Sequence, residues 1–189
     1  MTNAALPERV TLDDGTVLRF FVVSDADALA RAVGESLEHL KPWMPWADKQ
    51  STEPSFQRDR LRRQPELAAR GEEWQYGLFP EDERKVLGSF GLMTRRGPGT
   101  MEIGYWVHVG DVGRGHATRA VTALVDIAFG VEGVETVLIC CDEANLRSAA
   151  IPRKLGFTLR SIDTRPPEAP GEVGRLMTWA LERDAQPTS

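Results

Sequence analysis

Residues 113–118, with the sequence Gly-Arg-Gly-His-Ala-Thr, have the composition and spacing of an anion-binding turn. A β-branched and aromatic run at residues 102–108 predicts a strand before the turn, and apolar residues at helical spacing predict a helix over residues 116–129. Glycines let the backbone approach a ligand, while the free N–H groups and the dipole of a helix start favour its negative charge. The pattern predicts a phosphate site; the alternative is a flexible turn between strand and helix.

The spacing of these glycines excludes two common phosphate motifs. A dinucleotide-binding turn has the pattern G-x-G-x-x-G, and Thr118 stands where its third glycine would be. A nucleotide P-loop needs a lysine directly after its last glycine, whereas His116 follows Gly115.

Motifs further along the chain support a specific kind of phosphate site. A buried strand is predicted over residues 134–141, followed by Asn145-x-x-Ser148 and by Lys-Leu-Gly-Phe at residues 154–157. With the Glu102 strand and the G-x-G-x-A helix start, this ordered set resembles the GNAT superfamily of acetyl-CoA-dependent N-acetyltransferases. Residues 40–46 (Leu-Lys-Pro-Trp-Met-Pro-Trp) and 102–108 look like its branch of ribosomal-protein N-terminal acetyltransferases, the RimJ/RimL type. The resemblance spans roughly residues 19–181, and its motifs specify the cofactor better than the acceptor.

The resemblance implies an α+β fold with a mixed, mostly antiparallel central sheet, a splayed pair of parallel strands and flanking helices. The pantetheine arm of acetyl-CoA would lie between the strands at residues 102–108 and 134–141, with its pyrophosphate on the N–H groups of residues 113–117. The cofactor-binding residues predicted in this way are Tyr105, Trp106, Val107, Val112, Gly113, Arg114, Gly115, His116, Ala117, Thr118 and Asn145.

Three of these residues need separate comment. Val112 departs from the family pattern, which usually has Arg or Gln there; since backbone groups make most of the pyrophosphate contacts, binding is expected to survive but to weaken. Arg114 suits a cofactor phosphate, because guanidinium pairs well with phosphate oxygens, or is a solvated turn residue. Asn145 contacts the pantetheine arm in the family pattern and also suits a helix N-cap, and the two roles are compatible.

Acetyl transfer to an amine requires removal of a proton from the ammonium, stabilisation of an oxyanion and protonation of the leaving thiolate. Glu102 is the candidate general base, directly or through water, and Ser148 is the candidate acid. The alternatives are an exposed carboxylate at a strand start and a capping serine. Tyr105 is a second candidate acid, although a core tyrosine is favoured, and the N–H near Tyr105 or Trp106 can polarise the carbonyl if the strand carries a bulge.

The acceptor site is expected around the loop that contains Trp43, Met44 and Trp46, which forms its wall in the resembling branch; the alternative is that these side chains plug the core. Pro152 lacks an N–H group and cannot bond the carbonyl of Ser148. The helix at that point is therefore expected to start late or to kink.

The surrounding pattern predicts the elements that position these residues. A hairpin with an Asp14-Gly15 turn is expected over residues 10–23, and a helix capped by Ser24 or Asp25 is expected to reach about Leu40. Further predicted elements are a helix at 53–70, whose charges form a solvated face, and strands at 74–79, 85–94, 158–164 and 176–181. Residues 1–8 and 184–189 are expected to fray, and the proline-containing loop 165–174 is expected to be mobile.

Bulk composition narrows the class of protein. A length of 189 residues suits one domain, 1–189, with an ordered core at about 9–183. The net charge of −5 argues against general nucleic-acid binding, and the sequence contains no apparent membrane span or signal peptide. Cys140 and Cys141 are adjacent on a strand and do not suit a structural disulfide, and the histidines are scattered. We expect a cytoplasmic enzyme without a metal and without a nucleic-acid or membrane partner; a homodimer is left open.

The leading hypothesis is therefore an acetyl-CoA-dependent N-acetyltransferase for a protein or peptide N-terminus. An acetyltransferase for a small-molecule amine fits the same motifs. A regulatory module that binds acyl-CoA without catalysis draws support only from Val112 and Pro152. A hydrolase is the weakest alternative, because no G-x-S-x-G pattern surrounds Ser148.

Overall fold

A single eight-stranded sheet organises the chain in the computed structural model, which describes residues 6–183. The strand order is β1-β2-β3-β4-β5-β6-β8-β7, and among the strands of this described region only β5 and β6 pair in parallel. The strands are β1 Arg9–Thr11, β2 Val17–Phe20, β3 Glu73–Phe79, β4 Gly88–Met93, β5 Thr100–Val107, β6 Thr136–Asp142, β7 Thr158–Thr164 and β8 Arg175–Glu182. The helices are α1 Ala26–Glu35, α2 Leu37–Leu40, α3 Pro54–Ala69, α4 His116–Phe129 and α5 Leu146–Lys154. The mixed, mostly antiparallel α+β architecture predicted from the sequence is confirmed.

Side-chain alternation along β5 gives the sheet two different faces. Met101 and Ile103 join the larger hydrophobic cluster, in which they lie with the apolar stripe of α4. Trp106 points to the opposite face and belongs to a second cluster with residues of α1 and with Leu61 of α3. Glu102 lies on this second face, so its carboxylate is on the side of the sheet opposite α4.

The parallel pair β5 and β6 separates partway along its length. Thr100–Ile103 pair with Thr136–Ile139, whereas the last residues of both strands have no partner across this pair. On their outer sides, β5 stays paired with β4 to Val107 and β6 with β8 to Asp142. The sheet therefore opens a gap between two firmly held strands, as the resemblance implied.

The first helix is shorter than the sequence pattern indicated. α1 ends at Glu35, and Ser36 separates it from the one-turn helix α2. Ser36 is buried, and its hydroxyl accepts a hydrogen bond from the N–H of Val109, at 3.1 Å. The helix is thus interrupted at the residue that makes this tertiary contact. Asp25, one of the two predicted caps, occupies the N-cap position of α1, but its carboxylate makes no capping hydrogen bond to this helix: it accepts from the Val22 N–H and pairs with Arg19.

Two expectations about irregular segments require correction. Residues 6–8 do not fray: Leu6 is buried in the core, and the carbonyl of Pro7 accepts from the Tyr76 hydroxyl at 3.0 Å. Residues 1–5 and 184–189, also expected to fray, lie outside the described residues. Loop 165–174, expected to be mobile, is held by tertiary hydrogen bonds. The N–H of Gly171 donates to Pro42 O at 2.8 Å, and the N–H groups of Val173 and Gly174 donate to the Asp142 carboxylate.

Candidate active site

The turn before α4 presents a row of unpaired backbone N–H groups. Gly113 and Gly115 adopt the left-handed conformation, with φ of 78° and 83°, which β-carbon sterics disfavour for other residues. Within residues 6–183, none of the N–H groups from 112 to 118 donates a hydrogen bond to the protein. An anion at the N-terminus of α4 would satisfy these donors and benefit from the helix dipole.

A buried carboxylate holds the chain just before this turn. Asp111 accepts from Lys85 Nζ at 2.9 and 3.0 Å and lies 2.9 Å from His108 Nδ1. Burial opposes ionisation of Asp111, but these partners outweigh it and keep its pKa below the ordinary value. His108 also lies 2.8 Å from a Glu35 oxygen, which ties the turn to the end of α1.

The residues around the turn differ in whether they line a cleft. Val112, Gly113, Gly115 and residues 116–118 line a cleft beside the turn, which we call the turn cleft. Arg114 does not line it; its guanidinium is mostly exposed and lies 3.3 Å from Asp111. His116 is buried, and burial lowers its pKa, so the ring is neutral at neutral pH.

The turn cleft has a volume of about 530 Å³ and runs from the turn to the gap in the sheet. It includes residues that the sequence did not single out: His39 and Leu40 at the end of α2, and Arg147 near the start of α5. Arg147 makes no ion pair within the described part of the chain, so its charge is available to a phosphate. An arginine on an amphipathic helix carries no sequence signal for such a role.

Backbone groups of β5 face the gap at two positions. The His108 N–H donates to Leu87 O on the β4 side, at 2.9 Å. Because backbone groups alternate along a strand, those of Trp106 face β4 as well, whereas those of Tyr105 and Val107 face the gap. The register against β4 has no shift, so β5 carries no bulge against β4 at this point, and the Tyr105 N–H, rather than that of Trp106, is exposed to the gap.

Tyr105 and Ser148 meet at the inner end of the gap. The Tyr105 hydroxyl donates to the carbonyl of Ser148 at 3.1 Å and lies 3.3 Å from Ser148 Oγ. α5 begins at Leu146 and passes through Pro152, so the predicted late start is wrong. Since Pro152 has no N–H group, the Ser148 carbonyl has no intrahelical donor and is free for Tyr105. Asn145 caps the helix, its Oδ1 accepting from the Ser148 N–H at 3.1 Å.

A second cleft, of about 490 Å³, lies over the opposite face of the sheet, and we call it the sheet cleft. Its floor is polar: Gln75 donates to Glu73 at 2.8 Å, and the buried Ser89 donates to Gln75 at 3.1 Å. Gly91 makes room for this row, since a β-carbon there would lie 2.6 Å from Gln75 Nε2.

The two clefts share six lining residues and therefore meet. The shared residues are Trp43, Met44, Tyr105, Trp106, Asn145 and Ser148. Trp46 lines only the sheet cleft, is 37% exposed and lies with its ring centroid 6.4 Å from that of Trp106. The residues predicted from motifs 100 positions apart thus converge on one junction.

Glu102 lies on the floor of the sheet cleft, away from the turn cleft. Its buried carboxylate accepts hydrogen bonds from both Arg95 and Arg96. Burial opposes its ionisation, but the two guanidinium groups outweigh burial and lower its pKa. Glu102 is three residues from Tyr105, which is about 10 Å along an extended strand. Its carboxylate is thus ionised and weakly basic, and separated from the junction.

Opposite ends of the sheet cleft carry opposite excess charge. At the Glu102 end, the guanidinium groups of Arg60, Arg95 and Arg96 outnumber the carboxylates of Glu73 and Glu102. Near the junction, Arg165 pairs with Glu168 and Glu172 at 3.0 and 3.1 Å, and Asp142 adds a third carboxylate. The acidic end next to the junction suits a cationic ammonium group.

Asp142 also fixes the loop that carries these acidic residues. Its carboxylate accepts from the N–H groups of Ala144, Val173, Gly174 and Arg175 at 2.9 to 3.1 Å. Burial opposes its ionisation, but these bonds outweigh burial and lower its pKa.

Cys140 and Cys141 are free thiols that line the sheet cleft. Burial raises the pKa of Cys141 to about 11 and also raises that of Cys140. The nucleophilic thiolate is therefore scarce at neutral pH. Within residues 6–183, no three His, Cys, Asp or Glu side chains are arranged to hold a metal ion, and no helix has the length and apolar character to cross a bilayer.

The fold and the site identify the class of protein. A family model described as "Acetyltransferase (GNAT) domain" matches residues 16–158. The chain therefore belongs to the GNAT acetyltransferase family, and it is an N-acetyltransferase with acetyl-CoA as its co-substrate.

Particular relatives support the RimJ/RimL-like branch predicted from the sequence. The chain is 28% identical to the [ribosomal protein uS5]-alanine N-acetyltransferase of Escherichia coli (strain K12) over 146 residues, which are 76% of this chain and 75% of the relative. Mycobacterium smegmatis RimJ in complex with CoA-disulfide superposes with a TM-score of 0.82 at 22% identity, covering 92% of this chain and 85% of that one. Microcin C7 self immunity acetyltransferase MccE, in complex with acetyl-CoA and AMP, gives 0.84 at 17% identity, covering 95% and 98%. These two structures share the fold.

Proposed function

We propose that the protein transfers the acetyl group of acetyl-CoA to the N-terminal α-amine of a protein or peptide. The observation that carries the proposal is the junction of the two clefts at Tyr105, Asn145 and Ser148. A cofactor that enters along the turn cleft and an amine that enters along the sheet cleft would meet there from opposite faces of the sheet. The similarity to a ribosomal-protein alanine N-acetyltransferase supports the same acceptor class.

The turn cleft fits acetyl-CoA through backbone groups. The unpaired N–H groups of residues 112–118 would hold the pyrophosphate, and the gap beside Tyr105 and Val107 would hold the extended pantetheine arm. When bound, acetyl-CoA supplies the activated acetyl group. The N–H of Tyr105 points into the gap and would stabilise negative charge on the carbonyl oxygen. The exposed side chain of Val112 takes no part in these backbone contacts, so its departure from the family pattern would weaken binding only slightly.

We place proton removal from the amine at Glu102 acting through water. The distance to the junction and the two arginine partners make direct abstraction less favourable than transfer along an ordered water. The acidic end of the sheet cleft would meanwhile orient the ammonium group toward the junction. The free amine, not the ammonium, is then the attacking species.

Protonation of the leaving thiolate is assigned to the paired hydroxyls of Ser148 and Tyr105. Burial raises the pKa of Tyr105, so the phenol keeps its proton at neutral pH; when that proton turns from the Ser148 carbonyl to Ser148 Oγ, it can be supplied through Ser148. Direct attack by the amine is favoured over an acetyl-cysteine relay, because the raised pKa values of Cys140 and Cys141 keep both thiols protonated.

The acceptor end of the sheet cleft suits a peptide. Trp43, Met44 and Trp46 form an apolar wall, whereas Gln75 and Ser89 offer hydrogen bonds to a backbone on the floor. We further propose a cytoplasmic location, where Cys140 and Cys141 stay reduced.

A comparison of acceptors tests the proposal. The protein is incubated with acetyl-CoA and a peptide with N-terminal Ala, the same peptide with a blocked N-terminus, or small primary amines, and thiol release is followed. We expect thiol release only with the peptide whose N-terminus is unblocked. Turnover of small amines alone would overturn the peptide assignment, and binding of acetyl-CoA without turnover of any acceptor would favour a non-catalytic module.

A small-molecule amine is the second candidate, favoured by one observation. The excess of guanidinium groups at the far end of the sheet cleft suits an acceptor with an anionic group, and the similar MccE structure contains AMP beside acetyl-CoA.

A further inference from the structure

Arg60 stands apart among the arginines that line the sheet cleft. It projects from α3, and its guanidinium has no ion pair and no hydrogen bond within residues 6–183. The other three cleft arginines are each paired: Arg95 and Arg96 with Glu102, and Arg165 with Glu168 and Glu172. Burial disfavours the charge on Arg60 and lowers its pKa, and the nearby Glu73 only partly compensates.

Glu73 does not serve as the missing partner. Its carboxylate lies more than 4 Å from the guanidinium nitrogens and accepts a hydrogen bond from Gln75 instead. Three guanidinium groups therefore face two carboxylates at this end of the cleft. A charge kept partly buried without a partner is costly unless a ligand completes the pair.

We propose that Arg60 is a specificity-determining residue that binds a carboxylate side chain of the acceptor peptide. The inference rests on the proposed function, because it assumes that a peptide occupies the sheet cleft with its amine at the junction. A guanidinium favours a carboxylate through paired, charge-assisted hydrogen bonds.

The sheet geometry sets which peptide position carries the carboxylate. Glu73, Met93 and Glu102 lie opposite one another on three neighbouring strands. Glu73 is two strand spacings, about 10 Å, across the sheet from Glu102, and Glu102 is about 10 Å along β5 from Tyr105. Because these two directions are perpendicular, the Glu73 end lies about 14 Å from the junction. An extended peptide covers this distance in about four residues, so Asp or Glu is expected at position 3 or 4 of the acceptor.

The test uses two pairs of acceptor peptides with N-terminal Ala and an amidated C-terminus. The two peptides of one pair carry Glu or Gln at position 3, and those of the other pair carry Glu or Gln at position 4. Thiol release gives kcat/KM for each peptide with the wild-type protein, Arg60→Gln and Arg63→Gln. We expect the wild type to prefer the Glu peptide of at least one pair by about tenfold to a hundredfold. Arg60→Gln is expected to remove this preference, so that the ratio of the two kcat/KM values falls to about one. Arg60→Lys is expected to keep part of the preference. Arg63 lies on the same helix, is exposed and does not line the cleft, so Arg63→Gln is expected to keep the ratio.

A charge reversal separates recognition from a structural role. Arg60→Glu is expected to prefer a peptide with Lys at position 4, which a merely misfolded variant would not do. If the wild type turns over the Glu and Gln peptides equally at positions 3 and 4, the role of Arg60 is wrong while the proposed function stands. If none of these peptides is acetylated although acetyl-CoA binds, the proposed function and the role of Arg60 both fall.

Discussion

The hydroxyl of Tyr105 donates to the main-chain carbonyl of Ser148 at 3.1 Å and lies 3.3 Å from the Ser148 hydroxyl. A partly buried phenol on β5 is thereby coupled to a serine on α5, across the gap where the two clefts meet. Pro152 lies four residues after Ser148 and has no N–H group, so the Ser148 carbonyl receives no hydrogen bond from its own helix at this position.

Removal of either hydroxyl is expected to slow the chemical step. Ser148→Ala and Tyr105→Phe should each lower kcat by about a hundredfold, because proton transfer to the thiolate loses its donor. The KM for acetyl-CoA should change little. Since the two hydroxyls act as one unit, the double variant should be no slower than the more impaired single variant. Steady-state kinetics of thiol release provide the measurement, and fully multiplicative losses would refute a shared role.

Pro152→Ala tests how Tyr105 is positioned. The substitution restores an N–H group four residues after Ser148, which would compete with Tyr105 for the carbonyl. We expect kcat to fall several-fold with an unchanged KM for acetyl-CoA. Pro65→Ala is the matched control, since Pro65 also lies inside a helix but is exposed and distant from both clefts. Equal effects of the two substitutions would show that the carbonyl of Ser148 has no special role.

The turn before α4 can be tested by a pair of glycine substitutions. Gly113 and Gly133 have φ of 78° and 81°, and a β-carbon at either position would meet no atom within 4 Å. Alanine should therefore cost about 1–2 kcal/mol of unfolding free energy at each position. Only Gly113→Ala disturbs the N–H row, so only this variant should raise the Kd of acetyl-CoA, by about tenfold, as measured by calorimetry. A similar Kd for both variants would argue against pyrophosphate binding at the turn.

The role of Glu102 predicts a specific pH dependence. Its lowered pKa keeps it ionised well below neutral pH, so the wild type should use the ammonium form and its kcat/KM should stay nearly constant between about pH 6 and about pH 8. Glu102→Gln should lower kcat/KM by about a hundredfold near neutral pH, and its kcat/KM should rise as the α-amine loses its proton, near about pH 8. Thiol release measured across this range gives both profiles, and profiles of the same shape for the two proteins would contradict the assignment.

The same carboxylate links pH to folding stability. A carboxyl whose pKa is lowered in the folded state stabilises the fold above its unfolded pKa, about 4.3 for Glu. This stabilisation is lost as the pH falls through the lower, folded pKa. The difference in unfolding free energy between wild type and Glu102→Gln should therefore shrink below about pH 4, as measured by denaturant titration.

The sequence was most informative where structure is local. The helix over residues 116–129 and the strand over residues 158–164 have the predicted bounds, because periodicity and flanking glycines determine them. The end of α1 could not be predicted, since Ser36 is held by a loop 73 residues away. Loop 165–174 was misjudged for the same reason, because Asp142 fastens it through tertiary hydrogen bonds.

Within the site, motifs located backbone and junction residues but not the charged groups around Glu102. Asn145 and Ser148 were recognised by their spacing, and both line the junction. The partners of Glu102, Arg95 and Arg96, precede it by only seven and six residues, but no motif marks them. The unpaired charge of Arg60 depends on the packing of α3 beside a sheet built from distant segments.

A crystal structure with a bisubstrate ligand, in which CoA is joined through an acetyl bridge to the N-terminus of a peptide, shows directly whether cofactor and acceptor meet at the junction. We expect the pyrophosphate to lie on residues 113–117 and the bridge to pass between β5 and β6 beside Tyr105 and Ser148. The peptide should then lie over the floor of the sheet cleft. A peptide that leaves the junction toward solvent on the turn-cleft side, with the sheet cleft empty, would contradict this arrangement.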